Sequence, residues 1–135
     1  MPLSGPRNTP TRDGVDLELT LAATAVIWQG GMVCVDATGL AIAGKTGVDL
    51  VVMGVAQASA QASAGDATVS VRPGVYRFGA DDQIGQASLG RVVYLVDDET
   101  LSATDGDGTR SPAGVIIDIE LAGIWVAIGP TVRQA

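Results

Sequence analysis

A chain of 135 residues is long enough for one domain that buries roughly two-thirds of its unfolded surface. A formal net charge of −7, with Lys45 the single Lys, leaves no cationic patch for phosphate, so nucleic acid is not an expected partner. The chain has no His and one Cys, which removes Ser/His/Asp and Cys/His nucleophilic systems and the usual zinc donor sets.

No apolar run approaches the roughly 18 to 20 residues that span a bilayer, and no membrane partner is expected. The N-terminus lacks the basic and apolar segments of a signal peptide. A lone Cys34 cannot form an internal disulfide, which suits an intracellular product. It lies in Met32-Val33-Cys34-Val35 and reads as a small buried hydrophobe.

In chain order, residues 1–14 carry Pro2, Pro6 and Pro10 at every fourth position. Proline there blocks helix and central strand alike, so the segment reads as an extended arm, with Arg7, Asn8, Thr9 and Arg12 between and after the prolines. A single β-rich domain is expected over residues 15–135. From Val15 to Leu21 the apolar and polar residues alternate strictly, the pattern of a half-buried strand. Ala25–Trp28 and Met32–Val35 are short strands, and the turn Asp36-Ala37-Thr38-Gly39 leads into Leu40–Ala43 as a hairpin. In Asp49–Val55 the contiguous Leu50, Val51, Val52 and Met53 predict a strand covered on both faces. Gln57–Gly65 reads as a loop with room for one helical turn, since it has no apolar stripe.

Ala67–Val71 and Val75–Phe78 flank Pro73-Gly74 and predict a hairpin. Gln86–Leu89 allows a single helical turn before Gly90. The last third carries Val92–Val96, Val115–Ile119 and Ile124–Ile128 as apolar β-rich runs, and the first and last of these, with little polar alternation, predict strands covered on both faces. Tyr94 and Trp125 are thus expected as core or interface anchors. About nine or ten short strands, spaced near 8 to 12 residues, predict an all-β barrel or sandwich with at most one short helix. The 18 glycines are scattered as turn punctuation, which fits that class.

Two acidic stretches are the candidates for chemistry. Asp97-Asp98-Glu99 are adjacent on a strand end and point to alternate faces, so they read as a solvated turn. The run Thr104-Asp105-Gly106-Asp107-Gly108-Thr109 looks like a calcium loop, but Arg110 and Ile116 stand where an EF-hand needs Gly and Glu. No GxxxxGK[ST] or helix-opening GxGxxG occurs. No catalytic, cofactor or metal residues are therefore assigned, and the chain is expected not to be an enzyme.

Several ordered stretches resemble small phage and prophage proteins that decorate or cement the capsid. They are Arg7-Asn8-Thr9-Pro10, Val69-Ser70-Val71-Arg72-Pro73-Gly74-Val75, and Leu89-Gly90-Arg91-Val92-Val93-Tyr94-Leu95-Val96-Asp97-Asp98. Thr104-Asp105 through Gly108-Thr109-Arg110, Ala113-Gly114-Val115-Ile116 and Gly123-Ile124-Trp125-Val126-Ala127-Ile128 complete the set. Each piece alone is a common strand-and-turn pattern; the order across nearly the whole chain carries the resemblance. It implies a structural virion protein, made in the bacterial host cytoplasm and seated on the capsid exterior. Its implied partners are the major capsid protein of a tailed phage and further copies of itself, a trimer ahead of a dimer. Terminal arms of such proteins often share the contact, which points to Pro6, Arg7, Asn8, Thr9, Pro10 and Arg12. The alternative is a β-barrel that binds a small ligand or carbohydrate, for which Trp28 or Trp125 would line the pocket; an enzyme using carboxylates alone ranks third.

Overall fold

The computed structural model describes residues 16–81 and 83–130. The expected arm over residues 1–14, and Val15 with it, lie outside the described residues. The alternation that begins there continues as β1 (Leu17–Thr20), with Leu17 and Leu19 half-buried and Glu18 and Thr20 exposed. β2 (Val26–Ile27) is short, and β3 (Met32–Val35) turns through Asp36–Gly39 into β4 (Ala41–Ala43) as the expected antiparallel hairpin. The Asp36 carboxylate holds that turn by accepting the backbone N–H groups of Thr38 and Leu40, at 2.9 and 3.1 Å.

After β5 (Val51–Ala56) comes the two-residue β6 (Ala60–Gln61), where the sequence suggested only loop. β7 (Thr68–Arg72) then completes a five-stranded sheet in the order β1-β7-β5-β3-β4. Two single 3-10 turns, Ala62–Ala64 and Gln86–Ser88, lie in places where the sequence allowed a turn.

The second half forms a closed barrel. Its strands are β8 (Gly74–Ala80), β9 (Val92–Leu95), β10 (Thr100–Ser102), β11 (Pro112–Glu120) and β12 (Gly123–Ile128), in the cyclic order β10-β8-β12-β11-β9. Closing so few strands demands strong coiling, and β11 supplies it with register shifts between Pro112 and Gly114 and between Ile116 and Asp118. Gly114 is required at the first of these. A Cβ there would lie 2.2 Å from the Ala127 carbonyl oxygen.

Two hydrophobic clusters hold these parts together. Val93, Leu95, Leu101, Ile116, Ile124, Val126 and Ile128 of the barrel pack with Met32, Cys34, Leu50 and Val52 of the open sheet and the loop before β5. On the sheet's other side, Val33, Ala41, Val69 and Val71 pack with Ile27 and Ala60 of the small β2-β6 ribbon. The five-stranded sheet is therefore a middle layer buried on both faces, which accounts for the unbroken Leu50–Met53 run.

The expected Pro73-Gly74 hairpin is not formed. β7 pairs with β1 and β5, whereas β8 pairs with β12 and β10. Only Pro73 separates the two strands, fewer than the two residues a hairpin loop needs, so the chain steps from sheet to barrel without reversing. The step is tightly packed: a Cβ at Gly54 would lie 2.6 Å from the Arg72 carbonyl group, and one at Gly129 would lie 2.5 Å from Pro73 Cβ.

Candidate functional site

Two of the residues singled out from the sequence lie on the outer face of the barrel. β12 alternates, so Ile124 and Val126 are buried while Trp125 between them is half-buried. Its indole N–H donates to Glu120 Oε1 at 2.7 Å, and the Arg77 guanidinium sits 5.8 Å from the ring centre. Arg77 also approaches Glu120, at 3.7 Å. The reading that apolar neighbours cover Trp125 on both faces is thus corrected: one face is apolar core, and the other carries an exposed ion pair.

Tyr94 follows the same rule. Val93 and Leu95 are fully buried, while Tyr94 and Val92 are half-buried on the outside of β9 and line a surface groove of about 440 Å³ with Ser88, Gly90 and Arg91. Neither aromatic belongs to a core cluster. Pro6, Arg7, Asn8, Thr9, Pro10 and Arg12 lie outside the described residues.

The acidic turn Asp97–Glu99 is stapled to the start of β3, where the Met32 N–H donates to the Asp98 carbonyl at 2.9 Å. Among the described residues no three His, Cys, Asp or Glu side chains come together as a metal-binding group. The 104–110 loop is ordered from within by Arg110, whose Nη1 donates to the Thr104 carbonyl, Thr104 Oγ1 and Ser102 Oγ, each at 3.1 Å. Ser102 is fully buried and its hydroxyl donates to the Asp81 carboxylate. This network ties the Asp81 turn, the end of β10 and the 104–110 loop together, and nothing in the spacing of those residues announces it.

Cys34 is fully buried, and desolvation pushes its thiol up to about 11, so it stays protonated near neutral pH. It has neither the exposure nor the charge state of a nucleophile.

The most distinctive surface feature is Trp28, 67% exposed at the end of β2. Its backbone is rigidly held: Gln29 N–H donates to Ser59 Oγ at 2.9 Å, Gly30 N–H to the Ala56 carbonyl at 3.0 Å, and Gly31 N–H to the Trp28 carbonyl at 3.0 Å. Trp28 lines an apolar cleft of about 200 Å³ together with Val26, Ala60 and Ala64, with Asp66 among its lining residues. It also lines a more polar cleft of about 490 Å³, with Gly30, Gly31, Asp98 and Glu99. The sequence showed Trp28 only as one of five dispersed aromatics; the Gln29-Gly30-Gly31 turn after it was the available sign of a surface position. Val75, Ile117 and Leu121 add further exposed apolar side chains on the barrel.

Among the described residues no helix is long and apolar enough to cross a membrane. Comparison of the chain with protein-family models, with curated proteins and with solved structures found no match.

Proposed function

We propose that this chain is a non-enzymatic structural protein that binds the outside of an assembled phage capsid and stabilises contacts between major head protein subunits. The observation that carries the reading is where the barrel puts its surface. Barrels of about eight strands have interiors just wide enough for side chains to fill, and this one has five. Val93, Leu95, Leu101 and Val126 have no solvent exposure, so the barrel interior has no room for a ligand. What the chain presents to partners is its outer face, on which Val75, Ile117 and Leu121 are exposed. The resemblance in the sequence names the class of partner. The segment Pro6–Arg12 shares the attachment, and copies of the chain associate with one another, as a trimer before a dimer.

The test is co-sedimentation with undecorated heads assembled from the major head protein of the phage or prophage whose genome carries this chain. Saturable binding that raises the melting temperature of the heads is expected. A chain that begins at Val15 should melt normally and sediment poorly. No binding of the intact chain at tens of micromolar, far above the range of specific assemblies, overturns the proposal.

A further inference from the structure

We infer that the two clefts flanking Trp28 form a docking site for the proline-bearing N-terminal segment of the same chain. The inference goes beyond the capsid reading, concerns the free protein, and is tested without heads, so either can fail alone.

The argument starts from where the segment is rooted. Leu17 pairs with Val71, Val71 pairs with Ala56, and the Ala56 N–H donates to the Gly31 carbonyl at 2.9 Å. This row of the sheet runs straight from the start of β1, where residues 1–15 join it, to the turn that carries Trp28. It crosses three strand spacings, roughly 14 Å at about 4.8 Å each. Pro10 stands six positions before Asp16, and a flexible chain of six steps has an end-to-end distance of about 14 Å. A tether matched to its span gives an effective concentration near the millimolar range, so even weak docking is populated within one chain.

The chemistries are complementary. Segments with spaced prolines favour the polyproline II conformation and bind grooves built on exposed aromatic side chains, because little entropy remains to be lost. Trp28 offers such a platform, and the hydrogen bonds around Gln29–Gly31 fix it in place. The apolar cleft beside it, with Val26, Ala60 and Ala64, is the size of one or two pyrrolidine rings. Arg7 and Arg12 flank Pro10, and the clefts are rimmed by Asp66, Asp98 and Glu99. Among the described residues no Lys or Arg lines either cleft.

The experiment uses the full chain with Trp125→Phe, so that Trp28 is the only tryptophan. Acrylamide quenching should increase about two-fold in a chain that begins at Val15, because docking covers one of the two indole faces. Equal quenching with and without the segment overturns the inference. A second readout leaves Trp125 in place: trypsin should cut at Arg7 and Arg12 several-fold faster in Trp28→Ala than in the parent, since cleavage follows the undocked population. Unchanged cleavage rates also overturn it. Quenching that is constant from about 0.1 to 50 µM supports docking within the chain, whereas docking that appears only at the higher concentrations overturns the same-chain assignment.

Discussion

Replacing Gly114 with Ala tests how the barrel closes. The added methyl carbon would lie 2.2 Å from the Ala127 carbonyl oxygen and 2.8 Å from Val126 Cγ1, where ordinary contacts begin at 3.4 Å. Relief requires β11 and β12 to part by about 1 Å next to the Val115–Ala127 pair, on a ladder that cannot yield sideways because the ring is closed. Overpacking of this kind costs about 1–3 kcal/mol, and weakening one or two ladder hydrogen bonds adds about 1 kcal/mol each. The total is about 2–5 kcal/mol, and for a chain of this length 1 kcal/mol corresponds to about 3–4 °C. Gly114→Ala is therefore expected to melt about 7–18 °C below the parent in calorimetry. Gly85→Ala is the control. Its Cβ meets nothing within 4 Å and its φ is −145°, so its midpoint should be unchanged or slightly raised. A Gly114→Ala protein that melts with the parent would show that β11 and β12 are not held this closely at the bulge.

Cys34, fully buried and with its thiol pushed up to about 11, should resist thiol reagents in the native protein and react once urea unfolds it; rapid stoichiometric labelling without denaturant would refute its burial. The Arg72 guanidinium, 2.6 Å from Asp16, holds that carboxyl below its ordinary value of 3.8. A depressed carboxyl stabilises the fold above that value and loses its contribution as pH falls through the lower, folded-state value. Between about pH 5 and about pH 2 the parent should therefore lose more stability in urea titrations than Asp16→Asn, and less so at high salt, since the pair is exposed. Parallel curves for the two proteins would rule out a role for the pair.

The strict alternation of Val15–Leu21 identified β1, and the Asp36–Gly39 turn identified the β3–β4 hairpin, because both signals are local. Continuous apolar runs were harder to read. Leu50–Met53 and Val92–Leu95 look alike in sequence, yet the first lies in a sheet with cores on both sides and the second on a barrel wall with one face in solvent. No periodicity distinguishes a middle layer from an outer wall. The half-buried position of Trp125 on the outer face of β12 is hidden in its apolar run for the same reason. Pro73-Gly74 carried a turn signal that tertiary packing overrode, and Ala60-Gln61 carried no strand signal because β6 exists only through its pairing with β2. The Gln29-Gly30-Gly31 turn hints at the surface position of Trp28, but the hydrogen bonds across the sheet that fix that turn are contained in no local pattern.

The barrel is joined unevenly around its circumference. β11 and β12 share six registered pairs and β12 and β8 share five, but β10 meets β8 through only Thr100–Gly79 and Leu101–Ala80, in the parallel sense. β10 meets β9 through only two pairs as well, Leu101–Leu95 and Ser102–Tyr94, so it is the least-paired strand of the ring. Local opening is expected to begin at β10 while the β8-β12-β11 wall stays whole, with water first reaching the barrel interior past Leu101.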